Sequence, residues 1–137
     1  MSLLGYCKIV PSIVPTAGSV AACTAAEIDC TGFDRVCHII ALGASGGAGS
    51  TFDYQVQDAA ATGMSGAANI SGAALTQVLA AGADKVFAID IPVNPARPFQ
   101  KAVAAVGTAT QANGAIAILY NGSGTYPKIA ATQAVIL

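Results

Sequence analysis

This sequence of 137 residues has few charges: 9% of its residues are Asp, Glu, Lys or Arg, against about a quarter in an ordinary soluble domain. Its six basic residues are scattered and its net charge is −1. That pattern argues against a nucleic-acid-binding protein, because nucleic acid requires clustered Lys and Arg. The chain has too few charges to coat a free monomer. The composition therefore indicates one domain whose surface is partly covered by other protein.

Aromatic residues and long apolar runs are also scarce. Tryptophan is absent, and four Tyr and four Phe leave little for the row of exposed aromatics that a carbohydrate-binding module presents. The most apolar window, residues 102–120, is broken by Thr, Gln, Asn and Gly, so no membrane span is expected. Near the N-terminus Lys8 interrupts the apolar residues and no basic run precedes them, so export is not indicated.

The sequence lacks the usual motifs of catalytic and metal sites. No C-x-x-C pair occurs, and no loop has the D-x-D-x-D-G form of a calcium site. Residues 43–47 match G-x-S-x-G, but a predicted strand follows Ser45 where a hydrolase needs a helix. The single histidine, His38, is predicted to be a partly buried structural residue. We expect no enzymatic activity, no cofactor and no metal.

Two alternating stretches with a glycine loop between them organise the chain. Phe52, Tyr54 and Val56 alternate with polar residues, which predicts a half-buried strand. Residues 36–42 alternate as well, but both sides are mostly apolar, so this strand is expected to lie deeper. The loop at residues 43–50 carries four glycines. This arrangement predicts a β-hairpin whose apolar face the rest of the chain must cover.

Further strands are predicted at residues 20–30, 85–93, 99–106 and 115–120, each followed by a turn signal. Residues 67–81 fit either a short helix or an irregular strand. About seven or eight short strands with evenly spaced turns are typical of a β-sandwich. We therefore predict an all-β, single-domain sandwich, jelly-roll-like in preference to immunoglobulin-like.

The N-terminus and the cysteines give two further predictions. Pro11 and Pro15 disfavour a helix and indicate an extended N-terminal arm, residues 1–15, ahead of a sandwich domain at residues 16–137. If the turn at residues 33–34 is a two-residue hairpin, Cys30 and Cys37 lie opposite each other and could form a disulfide. Without export, buried free thiols are favoured.

The order of these elements resembles the small accessory proteins of tailed-phage virions, notably head-decoration or minor capsid proteins. Three elements carry the resemblance: an amide-rich strand that ends in Asp58, the turn Arg97-Pro98-Phe99, and the Gly107-Thr108 pair that follows the next strand. The resemblance covers about residues 16–127 and includes no catalytic signature.

The resemblance implies a structural virion protein: a capsid decoration, or cement, protein that binds the outer surface of a phage head, is assembled in the host cytoplasm, and stabilises the head. Its partners would be the major capsid protein and further copies of itself, with a homotrimer favoured. We expect the proline-bearing arm to reach a neighbouring subunit, and for Arg97 a solvated turn is the alternative. The residues expected at the partner contact are Ile9, Val10, Ile13, Val14 and Arg97.

Two other functions stay open at the level of sequence. A phage tail or head-spike component would share the fold, the low charge and the need for partners. A carbohydrate-binding β-sandwich module would share the fold alone.

Overall fold

The computed structural model describes residues 6–122, and within this range the fold is all-β, as the sequence predicts. Two short 3₁₀ turns interrupt the strands, and no helix in this part of the chain is long and apolar enough to span a bilayer. The strands described are β1 Cys7–Thr16, β2 Glu27–Asp29, β3 Arg35–Ser45, β4 Thr51–Ala59, β5 Ala68–Ala74, β6 Val78–Leu79, β7 Val86–Pro92, β8 Phe99–Gly107 and β9 Gln111–Tyr120.

The strands form two antiparallel sheets that pack face to face. The front sheet has the order β1-β9-β3-β7, and the back sheet has the order β2-β8-β4-β5 with β6 also paired to β4. The chain crosses repeatedly between the two sheets, and β9, the last strand in the described residues, lies between β1 and β3. This connectivity is jelly-roll-like, as predicted.

The core lies between the sheets and follows the period-2 pattern of the sequence. On β4, Phe52, Tyr54 and Val56 are all almost completely buried, and on β3 Ile40 and Leu42 face them. A second, smaller group of buried side chains around Val36 closes one end of the sandwich. The alternation predicted for both strands is confirmed, because in a sandwich each strand turns one side toward the opposite sheet.

The predicted β-hairpin is wrong. Strand β3 pairs with β7 and β9 in the front sheet, whereas β4 pairs with β8, β5 and β6 in the back sheet. The glycine loop between them therefore carries the chain from one sheet to the other. Both strands satisfy the same alternation in either arrangement, so the pattern of residues alone did not distinguish a hairpin from a crossover.

Residues 7–16 of the predicted N-terminal arm are a strand of the sandwich. Val10 lies opposite Ala117 of β9, and Ile13 lies opposite Ala115. The prolines are accommodated because β1 is an edge strand whose register shifts after Pro11. The arm prediction is therefore corrected for this stretch, and residues 1–5 lie outside the described part of the chain.

Residues 20–30 and 67–81 are less regular than a full strand. Within the first, only Glu27–Asp29 is a strand, and it belongs to the back sheet. Cys30 and Cys37 consequently do not face each other across a hairpin, and both thiols are free. Burial raises the pKa of Cys30 to about 12, which keeps it an unreactive thiol. The irregular-strand alternative for residues 67–81 is the one observed.

Candidate functional site

The outward side of the front sheet is almost free of charge. We call this surface the front face. Its side chains come from all four strands of that sheet, and most of them are half-buried or exposed. It consists of Ile9, Pro11, Cys37, Ile39, Ala41, Val86, Ala88, Ala112, Gly114, Ile116 and Ile118. A sheet face of this kind, on a sandwich whose core is already filled, is a surface suited to covering by another protein.

A shallow groove of about 440 Å³ crosses one end of the front face. Its lining includes Pro11 and Pro15 from the edge strand, Ile39 and Ile116 from the centre, and Gly114. The chain passes close to itself here, since a Cβ on Gly114 would lie 3.1 Å from Cα of Pro15. Small residues on the central strands thus leave an apolar depression that a partner's side chains could enter.

The opposite end of the front face carries a small polar cluster. Nε of Arg35 lies 3.2 Å from the Asp90 carboxylate and 3.1 Å from the Tyr120 hydroxyl oxygen, and the hydroxyl donates to the same carboxylate over 2.6 Å. The three groups therefore satisfy one another and add no net charge. Arg35 and Tyr120 are half-buried and Asp90 is exposed, so water screens these interactions and weakens them.

The outward side of the back sheet, which we call the back face, carries more charged and amide side chains than the front face. On β4 it presents Asp53, Gln55 and Gln57, and the neighbouring strand β8 adds Lys101. Two of these side chains bond to neighbouring residues: Gln57 donates to Asn69 over 2.8 Å, and Asp53 accepts from Gln77 over 3.1 Å. Val103 and Leu79 are exposed on the same face, but the polar side chains of β4 separate them. The contrast between the two faces, in one small sandwich, singles out the front face as the candidate functional site.

Between the sheets, a chain of hydrogen bonds links four strands. His38 Nε2 lies 3.2 Å from Gln100 Oε1, and His38 Nδ1 lies 3.0 Å from the Tyr54 hydroxyl. With Gln100 Oε1 as acceptor, Nε2 carries the proton and Tyr54 donates to Nδ1. The Tyr54 oxygen then accepts from Ser12 over 3.2 Å.

Burial determines the protonation of the His38 and Tyr54 side chains in this row of hydrogen bonds. It lowers the pKa of His38 below its usual 6.5, so the imidazole is neutral at pH 7, and it raises the pKa of Tyr54 to about 12. The sequence predicts a partly buried structural histidine, and in the structure the burial of His38 is complete. These hydrogen-bonded side chains link the two sheets and are buried, so they offer no group to a substrate.

Ser45 is the last residue of β3, and its side chain bonds to the crossover loop. Its hydroxyl lies 2.8 Å from the carbonyl of Gly47 and 2.8 Å from the hydroxyl of Ser50. Ser50 in turn donates to Gln111 over 3.0 Å, which fixes the loop onto β9. The structure does not bring Ser45 and His38 together, because both ring nitrogens of His38 face other partners in the core. Within residues 6–122, no three His, Cys, Asp or Glu side chains cluster closely enough to hold a metal ion.

The residues predicted at the partner contact are dispersed. Ile13 is fully buried in the core, so it is not available to a partner in the folded chain. Val10 packs partly against the smaller core group, Ile9 is half-buried on the front face, and Val14 is 64% exposed. Arg97 donates to Asp58 and to the carbonyl of Gly66, which ties its turn to the end of β4 and to the loop that follows β4.

Sequence reasoning missed most of the front face. The signal was present in residues 36–42, where both sides of the predicted strand are apolar. That pattern was interpreted as a strand buried on both sides. The structure shows a strand that is central within its sheet while Ile39 and Ala41 face outward.

No protein-family model matches the chain, and no curated protein matches it. Among solved structures it is similar to the SPBc2 prophage-derived protein YomS, at 9% identity and a TM-score of 0.49 over 82% of this chain and 91% of that one. It is also similar to the pentamer of Israel acute paralysis virus, at 8% identity and a TM-score of 0.41 over 98% of this chain and 80% of that one.

A third similar structure is a Clostridium thermocellum xylanase with CBM22-1 and GH10 modules, in complex with xylohexaose. The identity is 11%, the TM-score is 0.45, and the match covers 90% of this chain but 27% of the xylanase chain. Likenesses at these identities and TM-scores concern the all-β architecture and indicate nothing about what this chain binds.

Proposed function

We propose that this chain is a structural protein of a phage particle, a capsid decoration protein that binds the outer surface of the head through its front face and performs no catalysis. The observation that carries the proposal is the uncharged front face, which extends across all four strands of one sheet. Monomeric soluble proteins rarely expose a contiguous apolar patch of this kind. The resemblance to head-decoration proteins supports the choice of a phage head as the partner.

The physical mechanism is burial of apolar surface in many copies. Each Å² of apolar surface removed from water contributes about 25 cal/mol, less the cost of immobilising the protein on the shell. Because front-face strands are held in a sheet, binding orders few additional residues. A protein that contacts two shell subunits at once adds a link between them, and many such links resist internal pressure.

Binding to heads tests the proposal. Heads that lack this protein, taken from the phage that encodes it, are titrated with the purified full chain, and bound protein is measured by co-sedimentation. We expect saturation at a fixed number of copies per head, together with a higher temperature of head disruption. Failure to bind heads would overturn the proposal. Binding confined to tails would establish the tail or spike function instead, and specific retention on a glycan array without head binding would establish the carbohydrate-binding function.

A further inference from the structure

Within residues 6–122 the two sheets have four edges, one of them formed by β5 together with the two-residue β6, and three of the four carry features that block pairing with another strand. Strand β1 contains Pro11 and Pro15 and shifts register between them. Strand β2 is three residues long. Strand β5 contains Gly72 in a left-handed conformation, with φ of 78°, and its pairing with β4 shifts register. Prolines, short length and irregular register are the usual means by which an edge is kept from associating.

The fourth edge strand, β7, has none of these features along its length. It runs for seven residues in an unbroken register with β3, and its one proline, Pro92, is its last residue. Its one charged residue, Asp90, is occupied by Arg35 and Tyr120. An unprotected edge of this length is a template for another strand.

The direction of the free backbone groups follows from the bonds at both ends of β7. Leu42 N–H donates to the carbonyl of Lys85, and Val93 N–H donates to the carbonyl of Asp34. In an antiparallel ladder, the residues that bond to one neighbour alternate with those whose backbone points away from it. The odd-numbered residues of β7 therefore bond to β3. The backbone groups of Val86, Ala88 and Asp90 point away from the sheet.

We propose that β7 is a strand-addition site whose occupant is β7 of a second copy of this chain, paired antiparallel about a two-fold axis at Ala88. Ala88 then lies opposite Ala88 of the partner subunit, and Val86 lies opposite Asp90 of the partner subunit. Three residues in each copy have outward backbone groups, which gives about six hydrogen bonds across the axis. The register opposes no like charges and places a small side chain at the axis, where the two copies approach most closely.

The pairing is self-complementary in its side chains as well. The inward side of β7 carries Phe87, Ile89 and Ile91, so both copies bring apolar residues to the same side of the joint. On the outward side, the exposed Val86 and Ala88 extend the front face across the axis. The two front sheets become one continuous sheet with one enlarged apolar face. The dimer deepens the proposed function by presenting that larger face to the shell, but its formation does not require the head.

This contact joins two copies, so it differs from the trimer that the resemblance favours. Light scattering after size exclusion distinguishes them. For the full chain we expect a mass near twice the 13.5 kDa of one subunit at high concentration, falling toward one subunit on dilution. A mass of three subunits, or of one subunit at about 1 mM, would overturn the proposal.

Two variants at Ala88 locate the contact. Ala88→Pro removes an outward N–H that the fold does not use, and we expect dimerisation at least tenfold weaker with urea denaturation unchanged. Ala88→Ser keeps the N–H and is the matched control, with dimerisation retained. If Ala88→Pro dimerises like the wild type, the edge is not the contact.

Should Ala88→Pro fail to fold, cross-linking of Ala88→Cys tests the same contact. On mild oxidation we expect a disulfide between the two introduced thiols, whereas Val103→Cys on the back face gives none. Absence of that Ala88→Cys link would also overturn the proposal.

Discussion

Replacing Gly18 by alanine is expected to lower the free energy of unfolding by about 3 kcal/mol, the sum of a strained backbone and a steric clash. Gly18 has a φ of 69°, a conformation that residues with a Cβ rarely adopt. An added Cβ would lie 1.7 Å from the carbonyl oxygen of Gln111, so the backbone of β9 must shift. Urea denaturation measures the loss directly.

The effect extends beyond the local clash because Gln111 connects several segments. Its N–H donates to the Gly18 carbonyl over 3.0 Å, and its side chain donates to the Gly43 carbonyl over 2.6 Å. Its side-chain oxygen accepts from Ser50. Moving the Gln111 backbone therefore disturbs the crossover loop as well as the junction after β1.

Gly63→Ala is the matched control for Gly18→Ala. Gly63 has a φ of 79°, but no atom lies within 4 Å of the position its Cβ would occupy. The substitution carries the backbone strain without the clash, so we expect a loss of about 1 kcal/mol. Equal losses for the two variants would contradict the close approach of Gly18 to β9.

Replacing His38 by leucine is expected to lower the free energy of unfolding by about 3 kcal/mol, although leucine is apolar and similar in size. The substitution leaves Gln100 Oε1 and the Tyr54 hydroxyl hydrogen without their partner in a buried position. Each buried polar group deprived of its partner costs about 1–3 kcal/mol, which exceeds the gain from a more apolar side chain.

A double variant and a pH series separate this effect from simple packing. His38→Leu combined with Gln100→Leu removes both ends of one hydrogen bond, so we expect it to recover part of the stability that His38→Leu loses.

In the wild type, burial lowers the pKa of His38 below 6.5, so the unfolded chain takes up a proton that the folded chain does not. Stability therefore decreases as pH falls below 6.5, and this component is absent in His38→Leu. A pH dependence identical in both proteins would contradict a neutral, buried His38.

The sequence predicts most of the strands, with residues 7–16 and 20–30 as exceptions, but it does not predict how the strands are arranged. Alternation along residues 52–58 predicts a half-buried strand, because the side chains of a strand point to opposite faces. Alternation does not say which sheet the strand joins, since β3 and β4 would show the same pattern in a hairpin or on opposite layers. Sheet assignment depends on contacts between residues far apart in the chain, such as β3 with β9.

The front face, which is the candidate site, could not be located from the sequence. The low charge of the chain directed attention to a surface covered by other protein, which stays a prediction, and the prolines directed it to an N-terminal arm. Pro11 is tolerated in an edge strand, and its neighbour Ile13 turns into the core, so an extended segment was mistaken for a free one. The front face comes from four strands that are distant in sequence, and only the folded sheet places Ile39 beside Ile116.

Head binding by two matched variants tests most directly whether the front face is the functional surface. Ile116→Glu introduces a charge at the centre of the front face, and Val103→Glu introduces one on the back face; these side chains are 41% and 48% exposed, so both variants are expected to fold. We expect Ile116→Glu to weaken binding to phage heads by about tenfold or more, because a charge would be buried at the contact, and Val103→Glu to bind like the wild type. Unchanged binding by Ile116→Glu, or a loss confined to Val103→Glu, would contradict the assignment of function to the front face.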